Sequence, residues 1–288
     1  MANEQQQEFN EEECTHDCST CSANCSSKQQ KPEDLLLPPN QNSKIGKVIA
    51  VMSGKGGVRK SMTSALLATA FQKKGYKTAI LDADITGPSI PKAFGIKYSD
   101  LTGCEEGMLP PRTKTGIKII STNLLLQEEE TPVIWRGPII AGMVNQFWQE
   151  TYWDEVDYMF VDMPPGTGDV PLTVFQSLPI DGIVVVTTPQ DLVSMIVAKA
   201  VNMARLMNKP ILGIVENMSY MPCPDCGKKL YPFGESKIEE VADKYTLDIL
   251  AKMPIDPKIA AACDNGDAES IDSAEMNEAM DKIVEKLK

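Results

Sequence analysis

The sequence predicts an α/β domain: a mostly parallel sheet covered by helices on both faces, preceded by a flexible cysteine-rich tail. Three observations predict it. Short runs that are apolar at every position, such as Val48-Ile49-Ala50-Val51-Met52, recur along the chain. Stretches of helical character separate them, and a glycine-rich loop joins the first run to the first helix. Strands without polar alternation are buried on both faces, and the parallel pairing this implies needs crossovers, which the helices supply.

The elements follow in order. Residues 1–43 are rich in Gln, Glu, Ser, Asn and Pro, with almost no large apolar side chain before Leu35-Leu36-Leu37. Such a segment buries too little surface to offset its ordering entropy, so 1–43 is expected to be a disordered tail and 44–288 a single domain. Residues 48–52 form the first expected strand and 61–74 the first helix. Strands are expected at 77–81, 117–121, 158–161, 182–187 and 211–215. Residues 139–149 read as a helix. The stretch 191–207 is long enough to cross between the last two strands. The final helix, 274–287, sets Met276, Met280, Ile283, Val284 and Leu287 on one face. Its polar face mixes acids and bases, whereas a helix lying on a membrane carries a basic face. Packing onto the core is expected.

Composition narrows the function. Lys and Arg number 28 against 40 Asp and Glu in 288 residues, a net charge of −12. That balance excludes a general affinity for nucleic acid or anionic lipid. The opening MANEQQQEFNEEEC is polar and acidic, unlike a secretory leader, and no apolar run reaches the roughly 18 residues of a membrane span. A soluble, cytoplasmic protein is expected. One histidine excludes multi-histidine zinc sites, and eight cysteines in a reducing compartment need a use other than disulfides.

The first strand runs into Ser53-Gly54-Lys55-Gly56-Gly57-Val58-Arg59-Lys60-Ser61, and a helix follows. This is the context of a phosphate-binding P-loop: backbone N–H groups converge on the phosphates, and the helix N-terminus adds its dipole. Lys60 is placed for the β- and γ-phosphates of ATP and the Ser61 hydroxyl for Mg²⁺. At Arg59 the P-loop pattern has glycine; either a Cβ there crowds the β-phosphate and disfavours the backbone conformation needed, weakening ATP binding or turnover, or the side chain points outward and adds positive charge. Leu81-Asp82-Ala83-Asp84 ends the second strand, with Asp84 placed to orient the attacking water and Asp82 to support the Mg²⁺ shell. Asp162, closing Tyr158-Met159-Phe160-Val161-Asp162, stands near Mg²⁺, and Pro164 to Asp169 reads as a switch loop.

The remaining chemistry is in the cysteines. Cys223-Pro224-Asp225-Cys226-Gly227 is a CxxC in a turn. Its two thiolates suit zinc, an iron–sulfur cluster or redox chemistry, and leave a four-ligand site half complete. A symmetric dimer completes it. In the tail, Cys14, Cys18, Cys21 and Cys25 lie within twelve residues, with His16 among them. They suit a [4Fe–4S] cluster, a zinc ion or a redox dithiol. Cys104 and Cys263 have no partner in sequence.

These stretches carry a family resemblance. SGKGGVRKS resembles the deviant Walker A motif, KGGxGK[ST], in which the extra lysine, here Lys55, reaches the partner's nucleotide across a dimer interface. Together with LDADITGPSIP, IWRGPIIAGMVNQFW, FVDMPPGTGD, VENMSYMPCPDCG and FGES, the chain resembles the Mrp/ApbC-type iron–sulfur cluster carriers over about residues 44–265. The resemblance implies a homodimer that binds and slowly hydrolyses ATP, holds a [4Fe–4S] cluster between its subunits on Cys223 and Cys226, and passes it to apo-proteins. It also implies an adenine contact for Asn217. The cysteine-rich extension of the related eukaryotic scaffold ATPases has wider spacing than this tail. The rival readings are a spatial-organisation ATPase of the partition type, an ATP-driven electron-transfer reductase, and a zinc-stabilised metal-binding ATPase.

Overall fold

A computed structural model describes residues 35–84, 89–125, 137–189 and 193–288. Cys14, His16, Cys18, Cys21 and Cys25 lie outside the described residues, as does Ile85 to Pro88 of the second carboxylate motif. The strands are β1 (Lys44–Met52), β2 (Thr78–Asp82), β3 (Thr102–Cys104), β4 (Gly107–Leu109), β5 (Lys118–Ser121), β6 (Glu155–Asp162), β7 (Gly182–Thr187), β8 (Ile211–Pro222), β9 (Lys229–Leu230) and β10 (Ile249–Pro254). The helices are α1 (Lys60–Lys73), α2 (Ile90–Ala93), α3 (Gly137–Glu150), α4 (Asp169–Ser177), α5 (Val193–Leu206), α6 (Ile238–Tyr245), α7 (Pro257–Asp264) and α8 (Ala274–Lys286).

The main sheet runs β10-β8-β7-β1-β6-β2-β5, and its neighbours pair in parallel. Side chains alternate across each strand, so β1 feeds two cores. Val48, Ala50 and Met52 pack with Phe147 and Trp148 of α3, Val174 of α4, Val197 of α5 and Val241 of α6. Ile49 and Val51 pack with Leu67 and Phe71 of α1, Ile259 of α7 and Ile283 of α8. The expected two-sided covering is therefore present. Helix α1 is buried through most of its length, which suits a helix between a sheet and α8. Ser273 caps α8 by accepting from Met276 N at 3.3 Å, and Met276, Met280 and Ile283 are buried against the sheet. No helix among the described residues is long and apolar enough to cross a membrane.

Three features differ from expectation. The compact unit begins at Leu37 rather than at residue 44. Leu37 N donates to Ser177 O at 2.8 Å, Trp148 Nε1 donates to Leu37 O at 2.9 Å, and Ser43 Oγ accepts from Trp153 N at 2.8 Å. Polar groups of the incoming chain thus find partners on the domain, which composition does not reveal. Strand β8 continues past Val215 to Pro222, carrying polar residues that read as loop. Strand β10 holds Lys252 and Pro254, which interrupt the apolar run that marks a buried strand.

Phe160 lies on β6 with no exposure, 5.2 Å from the Phe71 ring centroid in edge geometry. Truncating a core aromatic costs roughly 3–5 kcal/mol. Phe160→Ala is expected to lower the urea midpoint accordingly with an unchanged m-value. A loss below about 1 kcal/mol would place Phe160 outside the core.

Candidate functional site

Strand β1 ends at Met52 between β6 and β7, and the chain leaves the sheet there to form the glycine-rich loop before α1. The C-terminal edge of a parallel sheet is where such folds hold ligands. Two glycines have different reasons to be there. Gly57 takes φ +80 with open space where a Cβ would stand, so its conformation is what calls for glycine. At Gly54 a Cβ would lie 2.4 Å from Ile196 Cγ2 of α5, so closeness of approach is the cause. Arg59 takes φ 58 and ψ 41, the left-handed conformation, as the N-cap of α1. The conflict read from sequence is therefore real: a residue with a Cβ occupies a left-handed position. Its side chain is exposed.

The loop leads into a dense polar cluster. Lys60 Nζ donates to Asp162 Oδ2 at 2.7 Å and lies 3.6 Å from Asp84 Oδ2. Asp162 is fully buried at the end of β6 and also accepts from Ser61 Oγ and Ser64 Oγ, each at 2.6 Å. Ser61 and Ser64 stand three apart on α1 and share a face; that spacing could have revealed Ser64, which sequence reading missed. Asp82 pairs with Asp162 in the β2–β6 register. It accepts from Ser121 Oγ at 3.0 Å and from Asp84 N at 3.1 Å. Burial first, then the Asp162 charge, hold the Asp82 carboxyl well above the usual carboxylate range, against the opposing pull of Lys60 and these hydrogen bonds. Asp82 thus orders the backbone of Asp84 from behind, while Asp84 faces a cavity of about 320 Å³.

Gly54 apart, the predicted loop residues Lys55, Gly56, Gly57, Val58, Arg59, Lys60 and Ser61 line this cavity, as does Pro165 of the expected switch loop. Gly166 N donates to Ser53 O at 2.8 Å, tying that loop to the end of β1. A hydroxyl and carboxylates grouped at a phosphate loop form a hard oxygen donor set, which fits Mg²⁺. Cys263 also lines the cavity, and nothing in its sequence surroundings signals this. Burial and the neighbouring Asp264 push its thiol up, while Arg59 opposes them.

Asn217, for which an adenine contact is expected, stands on β8 beside the phosphate loop. It is buried, its Nδ2 donates to Val58 O at 3.3 Å, and its Oδ1 accepts from Met218 N at 2.9 Å. Its amide is engaged within the chain and braces the phosphate loop from behind.

The CxxC lies at a hairpin tip. Strands β8 and β9 pair antiparallel, Met221 with Leu230 and Pro222 with Lys229. Cys223 N donates to Lys228 O and Gly227 N to Cys223 O, both at 2.9 Å, and Gly227 takes φ +72. Cys226 is exposed and Cys223 half-buried. Backbone N–H groups of Asp225 and Cys226, then the Cys226 side chain, lower the Cys223 thiol below its ordinary value. Turn amides aimed at a sulfur favour thiolate and hence metal ligation. Among the described residues no group of three or more His, Cys, Asp and Glu side chains is placed to hold one metal ion. Cys104, in β3, lies 3.4 Å from Gly107 O and outside both features.

The family model described as ParA, NUBPL iron-transfer P-loop NTPase, matches residues 44–288. The iron–sulfur cluster carrier protein of Clostridium perfringens is 50% identical over 232 residues, covering 78% of this chain and 81% of that protein. The iron–sulfur cluster carrier protein of Methanocaldococcus jannaschii is 40% identical over 283 residues, covering 96% of each. Among solved structures, a nucleotide-binding protein from Archaeoglobus fulgidus, in complex with ADP and with Co found in it, superposes with a TM-score of 0.73. It is 44% identical, over 80% of this chain and 90% of that one.

Two outcomes follow from this geometry. Because Arg59 is left-handed, Arg59→Gly is expected to be more stable than Arg59→Ala by about 1 kcal/mol in denaturant titration, the reverse of the order inside a helix. Equal or inverted stabilities would mean that the position carries no strain. Cys223 has a lowered thiol pKa, so more of it is thiolate at any pH below the free-thiol value. Its alkylation by iodoacetamide is expected to rise and level off at lower pH than a free cysteine's, as mass spectrometry of the labelled peptide would read. A profile matching free cysteine refutes the turn-amide effect.

Proposed function

This chain belongs to the NUBPL iron-transfer P-loop NTPase family, and on that premise we propose that it is an ATP-hydrolysing carrier of iron–sulfur clusters. It assembles a [4Fe–4S] cluster as cargo and passes it to apo-proteins. The observation that carries the reading is one of placement. Strands β1 and β8 run parallel on either side of β7, so the phosphate loop and the Cys223/Cys226 hairpin both emerge at the C-terminal edge of one sheet. Relatives named as cluster carriers at 40% to 50% identity support it.

The residues divide the work by chemistry. Amides of the loop from Gly54 to Ser61 bind the ATP phosphates, and Lys60, held beside Asp162 and Asp84, is the cation that meets them. Ser61 and Asp162 would hold Mg²⁺, which neutralises phosphate charge when bound. Asp84 orients the attacking water at the cavity wall. Lys55 crosses to the nucleotide of a second copy. That copy also contributes the other two thiolates, since Cys223 and Cys226 supply half of a four-thiolate cluster site. The tail cysteines Cys14, Cys18, Cys21 and Cys25 form a second thiolate set for a cluster or zinc. Nucleotide drives transfer only if it binds the cluster-holding and cluster-releasing forms with different affinity.

Anaerobic reconstitution with iron and sulfide tests the reading. The wild-type protein is expected to take up iron and sulfide, gain broad visible absorbance and activate an apo iron–sulfur acceptor. Cys223→Ala/Cys226→Ala is expected to transfer less than about a tenth as much while keeping its ATPase rate. Equal transfer by the double variant, or a colourless zinc protein, would sink the proposal. Lys60→Ala is expected to lower ATP turnover by two or more orders of magnitude, a scale typical of lost phosphate stabilisation.

A further inference from the structure

We propose that Glu216 is a positioning residue that couples the phosphate loop to the cysteine hairpin, clamping the hairpin's base in a way that nucleotide can alter. The inference rests on the nucleotide and thiolate roles proposed above and assigns their connection to named atoms.

Glu216 is fully buried on β8. A carboxylate without solvent persists only when donors surround it. Its donors come from the two ends of the cysteine segment. Ser219 Oγ donates to Oε2, and Ser236 Oγ donates to Oε1 at 2.5 Å. Ser236 Oγ in turn accepts from Ile238 N, the first residue of α6, at 3.1 Å. One carboxylate therefore closes the stretch from Ser219 to Ser236, and Cys223 and Cys226 lie inside it.

The next residue holds the phosphate loop. Successive side chains of a strand point to opposite faces, and Asn217 places its amide on Val58 O of the phosphate loop and on Met218 N. Met218 takes φ 56, left-handed in a residue that bears a long side chain. This kink stands between the amide that holds the loop and Ser219 of the clamp. A shift of Val58 as phosphates enter the loop pulls on Asn217 and so on the peptide shared with Glu216. The carboxylate has another donor to turn to. Thr187 stands opposite Glu216 in the β7–β8 register, and its hydroxyl is buried without a partner among the described residues. Two alternative donor sets for one buried carboxylate are the ingredients of a two-state element.

The test measures coupling. Co²⁺ affinity is read from thiolate-to-cobalt absorption, with and without a non-hydrolysable ATP analogue and Mg²⁺, in the full-length chain with Cys14, Cys18, Cys21 and Cys25 replaced by Ser, which serves as the wild-type reference of this test. Nucleotide is expected to change wild-type Co²⁺ affinity by at least about fivefold, the lower end of ordinary coupling. Ser236→Ala is expected to bring that ratio near one, leaving Co²⁺ affinity without nucleotide and nucleotide affinity without Co²⁺ within about twofold. Ser236→Thr, which keeps the hydroxyl, restores the ratio. A purely structural serine would lower both affinities together and leave their ratio unchanged. Glu216→Gln gives the same reading from the other side of the bond should Ser236→Ala not fold. A wild-type ratio of one, or a wild-type ratio retained in Ser236→Ala, overturns the coupling and leaves the carrier reading standing. Thiolate-to-cobalt absorption that survives Cys223→Ala/Cys226→Ala in the chain whose tail cysteines are replaced overturns the carrier reading and this inference with it.

Discussion

Asp162 holds a carboxylate at the end of β6 with no exposure to solvent, and such a group is stable only when donors replace the water it has lost. Lys60, Ser61 and Ser64 are those donors, all from the first turns of α1. The requirement fixes much else. Asp162 reaches α1 because β6 pairs beside β1 with Val51 opposite Asp162. The helix can start where it does because the loop turns sharply through Gly57 and Arg59. Asp82, next to Asp162 in the sheet, stands in a field that disfavours its charge, and it is used to hold Asp84 through a backbone hydrogen bond. One buried charge thus sets the register of two strands, the position of a helix and the orientation of the carboxylate that faces the cavity.

The parts of this arrangement that were legible in sequence are those in which spacing alone dictates geometry. The loop from Gly54 to Ser61, the aspartates Asp82, Asp84 and Asp162 at or just after strand ends, and the CxxC each declare themselves within a few residues. The parts that were not legible depend on partners distant in the chain. The strand expected at 211–215 stops short of Asn217 and Ser219, since polar residues rarely sit in a buried strand. Glu216 and Asn217 sit there because Ser236 and Val58, far off in sequence, satisfy them. Leu37 was assigned to the tail for want of any local sign that Trp148 and Ser177 receive it. Cys263 showed no motif, yet α7 brings it to the cavity wall.

Arg59 makes a related point about strain. A left-handed residue with a side chain raises local energy, and it persists only where its surroundings over-determine it. Here they do. Gly54 is wedged against Ile196, Gly166 is bonded to Ser53, Asn217 holds Val58, and Arg59 O accepts from Thr63 N at 3.1 Å in the first turn of α1. The backbone of the loop is held at both ends and from behind, which lets a residue with a Cβ stand left-handed before Lys60. A phosphate site needs that, because amides already aimed at an anion lose little order when they bind it.

The two ends of β8 have opposite characters, and this bears on how a carrier would work. Near Asn217 the strand is buried and braced. Beyond Pro222 the hairpin is exposed, with Leu230, Tyr231 and Phe233 all open to solvent and β9 only two residues long. Segments with few apolar contacts and exposed backbone hydrogen bonds open at low energy. A thiolate pair on such a tip can exchange its cargo, whereas the same pair inside the core could not. A loose tip alone would respond to nothing at the phosphate loop, two strands away along the same edge of the sheet. The firmness of the strand beneath it, and the buried carboxylate that closes the hairpin's base, are what would carry a change at the phosphate loop to the sulfurs.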